Sequence, residues 1–262
     1  PRATAALTLA ASERQGAWSD GHPKRAIREQ DLDRRDGALA TRLCYGVLQN
    51  RLLLDWRLGR VCSMKLNKLD IRILCDLRVA AYQILFLDKI PPSAAVNEAV
   101  NLAKKHSRNP RAAGMVNGVL RALLREETPE IRGKDELETL SIRYSHPQWL
   151  VEEFAGQLGL EGAEALLKAD NEQPPTAAQV NTLNTRSEKL AEELREAGGS
   201  VEPHPWLSNC LLLTGTGDLE RLDAFQRGDF YVQDAASRLA VMAADPKPGS
   251  RVLDCCGAPG GE

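Results

Sequence analysis

Residues 251–262 read R-V-L-D-C-C-G-A-P-G-G-E, a short apolar stretch running into a turn of small residues. Val252 and Leu253 have the character of a buried strand, which Asp254 closes. Gly257, Ala258, Gly260 and Gly261 let backbone approach a ligand closely and offer N–H donors. A strand feeding a glycine-rich turn is how doubly wound nucleotide-cofactor folds begin. Asp254 is placed to orient polar groups of a ribose- or amino-acid-bearing cofactor. On spacing alone an ordinary Pro-Gly turn explains the loop equally well.

Upstream of this loop, Asp234 is positioned to cap a helix containing Ala236, Leu239, Ala240 and Met242, so residues 234–262 read as the start of a cofactor domain. Residues 176–233 carry a different period. Strands are expected at 179–183, 201–204, 210–214 and 230–233, with helices at 185–197 and 218–225. Thr185 with Glu188 suggests a capping box, and Gly198-Gly199 a stop. The order β-α-β-β-α-β is the split, ferredoxin-like or RRM-like arrangement. Cys210-Leu211-Leu212-Leu213 lacks the stacking aromatics of an RNA-recognition platform, so this segment reads as a packing module.

Residues 129–175 form a connector of short helices, with a turn at Ser145-His146-Pro147 and a stop at Pro174-Pro175. Residues 1–128 are helical throughout. Asp36 is a candidate cap for a helix with the face Leu39, Leu43, Val47 and Leu48. Asp70 precedes Leu74, Leu77, Ala81, Ile84 and Leu85 at 3-4 spacing. Pro91-Pro92-Ser93 and Asn109-Pro110 open two more helices. The fold class is therefore multidomain α plus α/β.

The 262 residues are 43% hydrophobic and 27% charged, an ordinary globular composition that excludes disordered and fibrous classes. No apolar run reaches the roughly 18 residues of a membrane span, and no secretory signal is visible. The six cysteines and four histidines have no metal-ligand spacing, so no metal is expected. Unpaired cysteines fit a reduced, cytoplasmic protein, with Cys44 and Cys75 as small core hydrophobes. The net charge of −2 conceals an asymmetry. Residues 1–128 hold 22 Lys+Arg and 13 Asp+Glu, a net of +9, whereas residues 129–262 hold 12 and 23, a net of −11. A basic module joined to acidic ones points to a nucleic-acid partner for the first. Candidate phosphate contacts are Lys24, Arg25, Arg28, Arg34, Arg35, Lys104, Lys105, Arg108 and Arg111. Lys104 and Arg108 are expected to share a helix face.

Residues 252–262, V-L-D-C-C-G-A-P-G-G-E, resemble the cofactor loop of S-adenosylmethionine-dependent RNA cytosine-5 methyltransferases, V-L-D-L-C-A-A-P-G-G-K. Residues 230–237, F-Y-V-Q-D-A-A-S, and 143–150, R-Y-S-H-P-Q-W-L, also look like segments of that family. Residues 33–47, 95–104 and 113–121 are similar to the NusB antitermination fold, through D-R-R-D-G-A-L-A-T-R-L-C-Y-G-V, A-V-N-E-A-V-N-L-A-K and A-G-M-V-N-G-V-L-R. Two positions depart from the cofactor loop: Gly257 replaces the usual Ala and Glu262 the usual Lys.

The resemblance implies a NusB-like RNA-binding domain over 1–128, the connector, the small α/β domain, and a Rossmann-like domain of which the first strand and loop are present. It implies S-adenosyl-L-methionine held by Asp254, Cys256, Gly257, Ala258, Pro259, Gly260, Gly261 and Glu262. It implies methylation of carbon 5 of a cytosine in 16S ribosomal RNA by a monomer. The family's two catalytic cysteines follow the loop by many residues, so both are expected beyond Glu262 and residues 1–262 alone are expected to be inactive. Neither Cys255 nor Cys256 matches the nucleophile; the pair reads as packing. The signature residues Asn97, Glu98 and Asn117 are expected to brace helices. Trp149 and Trp206 read as core or interface, and His146 and His204 as turn residues. Two alternatives stay open: a non-enzymatic NusB-like transcription factor, and a methyltransferase of the same family acting on transfer RNA.

Overall fold

A computed structural model describes residues 1–15, 27, 29–30, 32–217, 219–255 and 257, without the side chains of Gln15 and Arg34. Contacts divide it into two compact units, Pro1–Glu172 and Gln173–Glu262. The first unit contains α1 (Arg2–Gln15), α2 (Arg34–Gln49), α3 (Arg51–Val61), α4 (Ile71–Phe86), α5 (Pro92–His106), α6 (Ala112–Arg125), α7 (Glu136–Tyr144) and α8 (Gln148–Asp170), with a 3-10 turn at Leu66–Lys68 before α4. Among the described residues no helix is long and apolar enough to cross a membrane.

The unit is organised around α4. Every residue from Ile73 to Gln83 is buried, so this helix is enclosed on all sides. It packs against α1, α2, α3, α5 and α6. Small residues let the neighbours approach: Cys75, Ala80 and Ala81 on α4, and Ala5, Ala6 and Ala10 on α1, are all at most 2% exposed. Gly46 of α2 lies against the Tyr82 ring, where an added Cβ would stand 2.0 Å from a ring carbon. The core also takes in Leu43, Val47, Leu54, Leu58, Val116 and Leu120.

Burying α4 whole also buries its polar side chains, and each finds a partner. Arg78 donates Nε and Nη2 to the Asp55 carboxylate, both at 2.7 Å, and Nη1 to Glu13 at 2.8 Å. Gln83 accepts from Arg2 Nε at 2.6 Å and donates to the Val79 carbonyl. Asp76, 1% exposed, holds the His106 ring through Nδ1 at 2.9 Å. Burial pushes the Asp76 carboxyl up to about 6, and the neighbouring imidazole limits the rise. The Cys44 and Cys75 thiols are pushed up to about 12 by burial, as small core hydrophobes should be.

Asp33, not Asp36, caps α2: its Oδ1 accepts from the Asp36 amide at 2.7 Å, which leaves Asp36 in the first turn. Asp70 caps α4 as expected, accepting from the Arg72 amide. α5 starts at Pro92 behind Pro91, so Ser93 is inside the helix and caps nothing.

Residues 136–170 belong to the first unit. Ser145 has φ 61° and ends α7. Its Oγ accepts from the Leu52 amide at 2.7 Å, at the start of α3. That helix starts at Asn50, which supplies no side-chain cap of its own, so Ser145 satisfies an amide left over there. Gln49 Nε2 donates to the Asn171 carbonyl, and Asn171 Nδ2 to the Tyr144 carbonyl. α8 breaks at Gly159, whose φ of 71° suits glycine. Both of its arms reach one small core, Val151 from the first and Leu167 from the second, with Leu140 of α7. Trp149 at 67% and Leu158 at 53% exposure face outward, so Trp149 is not a core residue.

The second unit contains β1 (Thr176–Val180), α9 (Ser187–Glu196), β2 (Ser200–Pro203), β3 (Cys210–Thr214), α10 (Asp223–Gln226), β4 (Phe230–Val232) and α11 (Ala235–Ala244), with a 3-10 turn at Leu219–Arg221. The sheet order is β2-β3-β1-β4 and every neighbouring pair is antiparallel, the ferredoxin-like arrangement. Ala178 pairs with Leu211, Val180 with Phe230 and Val201 with Leu213; these face Leu190, Ala191 and Leu194 of α9.

The first strand is earlier than expected. Asn181 starts a turn in which its Oδ1 accepts from the Leu183 amide and its carbonyl from the Thr185 amide. Leu183 is left 94% exposed. The same turn removes the capping box: α9 starts at Ser187 with no side-chain cap. Its other end closes as anticipated, with Gly198 at φ 95° and the Gly199 amide donating to the Leu194 carbonyl.

Two measurements test the buried ionic groups. Arg78→Ala leaves two carboxylates facing a gap, and we expect a loss of about 3 kcal/mol in chemical denaturation, the low end for a broken buried pair because both acids keep some water. Because Asp76 is raised when folded, its contribution to stability declines as pH rises from about 4 to about 6. Thermal melts of Asp76→Asn should lack that component, so the wild-type minus variant difference changes across this window; a flat difference refutes the assignment.

Candidate RNA-docking surface and cofactor loop

The basic residues of the first unit separate into those the fold consumes and those it leaves available. Arg51, Arg57, Arg60 and Arg78 are engaged by Glu13, Glu126 and Asp55. Arg60 also covers the Trp56 ring at 5.0 Å. Such residues raise the net charge of the domain without offering charge to a partner.

The other set is grouped at one end of the α4–α5–α6 core. Lys104 and Lys105 form the last turn of α5, where cations complement the helix dipole. The helix ends at His106, and Ser107 is extended, so Arg108 lies beyond the helix and shares no face with Lys104. The expected i,i+4 pair is therefore absent. Arg108 sits instead in a fastened turn: Ser107 Oγ accepts from the Asn109 amide at 3.1 Å, and Asn109 Oδ1 from the Arg111 amide at 3.0 Å. Arg111 then precedes α6. The Asp76–His106 contact anchors the turn to the buried helix. Lys104, Lys105, Arg108 and Arg111 are all exposed, and none has an ion pair among the described residues.

The structure adds two cations that sequence reading missed. Lys65 and Lys68 flank the 3-10 turn before α4, and Lys68 lines the same cavity as Arg111. Their K-x-x-K spacing was the available signal, but nothing local says that this turn lies beside residues 40 positions later. Of the remaining candidates, Arg35 is exposed on α2. Lys24, Arg25 and Arg28 lie outside the described residues, as does the Arg34 side chain. Asn117 braces Arg121 through a 3.0 Å hydrogen bond, whereas Asn97 and Glu98 stand exposed on α5 and brace nothing.

In the second unit, residues 251–254 form no strand. Val252 and Leu253 are 70% and 85% exposed, because among the described residues no neighbouring strand pairs with them. Asp254 is exposed, and its carboxylate turns back over Gly257, where an added Cβ would stand 2.6 Å from Oδ2. Cys255 is exposed, not packed, and Cys256 and residues 258–262 lie outside the described residues. Trp206 is 59% exposed with its ring edge-on to His204, so it too is outside the core. His204 Nδ1 accepts from the Leu207 amide and His146 contacts the Tyr144 carbonyl, turn roles for both. On the sheet, Phe230 is buried and Tyr231 40% exposed, so no aromatic platform forms.

Comparison with known proteins finds two family matches. Residues 1–125 match the NusB family, and residues 146–220 match the Methyltr_RsmF/B-like ferredoxin-like domain. The chain is 35% identical to "Probable ribosomal RNA small subunit methyltransferase B" of Bacillus subtilis, over 95% of this chain and 56% of the relative. It is 31% identical to the protein of the same name from Synechocystis sp., over 100% and 59%. It is also 31% identical to "Ribosomal RNA small subunit methyltransferase B" of Citrobacter koseri, over 89% and 53%. The chain thus spans a little over half the length of these relatives. The crystal structure of PH0851 shares the fold, with a TM-score of 0.66 and 24% identity over 95% of this chain and 56% of that one. The chain thus carries a NusB-family segment over residues 1–125 and an RsmF/B-like ferredoxin-like segment over residues 146–220, joined over the same stretch that aligns with the ribosomal RNA small subunit methyltransferase B relatives.

Proposed function

We propose that this chain is the RNA-docking part of an S-adenosyl-L-methionine-dependent enzyme that methylates carbon 5 of a cytosine in 16S ribosomal RNA. The observation that carries the reading is the pairing of the two matched domains along nearly all of the chain, in relatives named for that class of enzyme. The ferredoxin-like match speaks against a free-standing NusB-like transcription factor, which has no need of a methyltransferase module.

In this reading the first unit docks RNA through Lys65, Lys68, Lys104, Lys105, Arg108 and Arg111, with Lys24, Arg25, Arg28, Arg34 and Arg35 as further candidates. Point charges of this kind hold phosphates in register without reading bases. Asp254, Cys256, Gly257, Ala258, Pro259, Gly260, Gly261 and Glu262 would hold S-adenosyl-L-methionine, which supplies the methyl group when bound. The exposed apolar pair Val252 and Leu253 fits a strand that pairs within a cofactor domain. The enzyme works as a monomer in the cytoplasm, and residues 1–262 alone bind RNA without transferring methyl groups.

Two experiments test this. Bisulfite mapping of ribosomal and transfer RNA from a strain lacking the gene should show one 5-methylcytosine lost from 16S ribosomal RNA; an unchanged 16S map, or a site lost from transfer RNA instead, refutes the substrate. Purified residues 1–262 should bind 16S RNA fragments with a salt-dependent affinity. Neutralising Lys105 and Arg108 with Gln should reduce the slope of log affinity against log salt by about one per residue.

A further inference from the structure

A cavity of about 390 Å³ lies between the 3-10 turn, the start of α4 and the 107–112 turn, entirely within the first unit. That volume is within the roughly 300–1,000 Å³ range of small-ligand sites. Its floor is apolar: Leu69, Ile73, Ala112 and Met115, with the thioether of Met64 (46% exposed) at the edge. Its rim carries Lys68 and Arg111, neither ion-paired among the described residues. Lys65 and Arg108 extend the positive charge to either side along the chain.

Between floor and rim stand three polar groups, each half used. Asp70 accepts from the Arg72 amide through Oδ1, which leaves Oδ2 to accept again. Asn109 accepts from the Arg111 amide through Oδ1, which leaves its NH2 to donate. Ser107 Oγ accepts from the Asn109 amide, which leaves its hydroxyl proton to donate. An apolar floor that would grip a flat ring, donors and an acceptor that would meet its edge, and two cations where charge would leave the mouth are together the complement of a nucleotide.

We infer that this cavity receives one unstacked nucleotide of single-stranded RNA, its base against Met64, Ile73 and Met115 and its phosphates at Lys68 and Arg111. The inference rests on the reading that the first unit docks RNA and adds where, and in what state, the RNA is held. A duplex keeps its bases stacked and cannot lower one to the floor, whereas a loop or bulge can. Methionine is a suitable wall for this, because its flexible, polarisable side chain adapts to any base face.

The test uses the full 262-residue chain with methyl-labelled methionine, titrated with a short single-stranded RNA and with a duplex of the same sequence. The chain has three methionines, Met64, Met115 and Met242, so the methyl signals are readily assigned by substitution. Single-stranded RNA should move the Met64 and Met115 signals, and the duplex should not. Met64→Ala should weaken single-strand binding about three- to tenfold without changing the salt slope, as expected for lost apolar contact. Lys68→Gln and Arg111→Gln should each weaken it and lower the slope by about one. If RNA binds while both methyl signals stay still and Met64→Ala binds like wild type, the cavity is not the site, and the broader docking reading survives. Equal shifts with duplex overturn the single-strand inference. No RNA binding of any kind overturns both readings.

Discussion

The first unit depends on one guanidinium. α4 is enclosed on every side, and a helix in that position with Arg78 on it must supply the charge with acids or not fold. Asp55 comes from α3 and Glu13 from α1, so two helices far apart in sequence are held in register against the third. Glu13 is shared with Arg51, which extends the network to the start of α3. An ion pair of this kind adds little net stability compared with apolar packing, because desolvation offsets most of the attraction. What it adds is geometry: a bidentate fork tolerates little rotation of α3 about its axis. We read Arg78 as the group that selects one packing among the several that the aliphatic core would accept.

Fixing α3 has a consequence at its N-terminus. α2 and α3 meet at Asn50, which ends one helix and starts the next, and no side chain there caps α3. The missing acceptor is Ser145 Oγ, delivered from more than 90 residues away by the left-handed turn after α7. Together with the Gln49–Asn171–Tyr144 contacts, it attaches residues 136–171 to the helical core. The segment that reads as a connector is thus fastened to the helical core of the first unit. The R-Y-S-H-P segment is informative as a motif because each residue has a structural task. Arg143 and Tyr144 both bond Glu164 on the second arm of α8, Ser145 caps α3, and His146 closes the turn.

This separates what a sequence can reveal from what it cannot. The helices over residues 34–49, 71–86, 92–106 and 112–125 were legible from apolar residues at 3-4 spacing and local punctuation, with Asp70 as a cap and Pro91-Pro92 as a start; α3, which has no such stripe, was covered only by the general helical reading of residues 1–128. The split β-α-β-β-α-β order was legible for the same reason. Errors came where a side chain had two local choices. The Asn181 turn displaced the capping box expected of Thr185 and Glu188, and Asp33 took the cap expected of Asp36. Ser145 could not have been foreseen, since its partner is distant in sequence. The cation surface was half legible. Lys104, Lys105, Arg108 and Arg111 stand close in sequence, but Lys65 and Lys68 join them only through the packing of α4 against α5 and α6. The strand expected at 251–255 illustrates a different limit: apolar character makes a strand only where a neighbour supplies the hydrogen bonds.

The charge asymmetry also divides more finely than a count suggests. A domain with a net of +9 invites the view that all its arginines face a polyanion, yet Arg51, Arg57, Arg60 and Arg78 are committed to acids of the same domain. Lysines and arginines at element ends, Lys65, Lys68, Lys104, Lys105, Arg108 and Arg111, have no such commitment among the described residues. The physical reason is placement. Arg57 and Arg78 are buried on helix flanks and are met there by acids, whereas the cations of the second set stand exposed on turns or a final helical turn and keep their water and their reach. The turn itself cannot be loose if it is to hold phosphates in register. Here it is pinned at one end by the buried Asp76 carboxylate on His106, and at the other by the side chains of Ser107 and Asn109, which accept from the Asn109 and Arg111 amides. The buried acid therefore serves the exposed bases: it costs solvation inside the core, and what it secures is the position of positive charge outside.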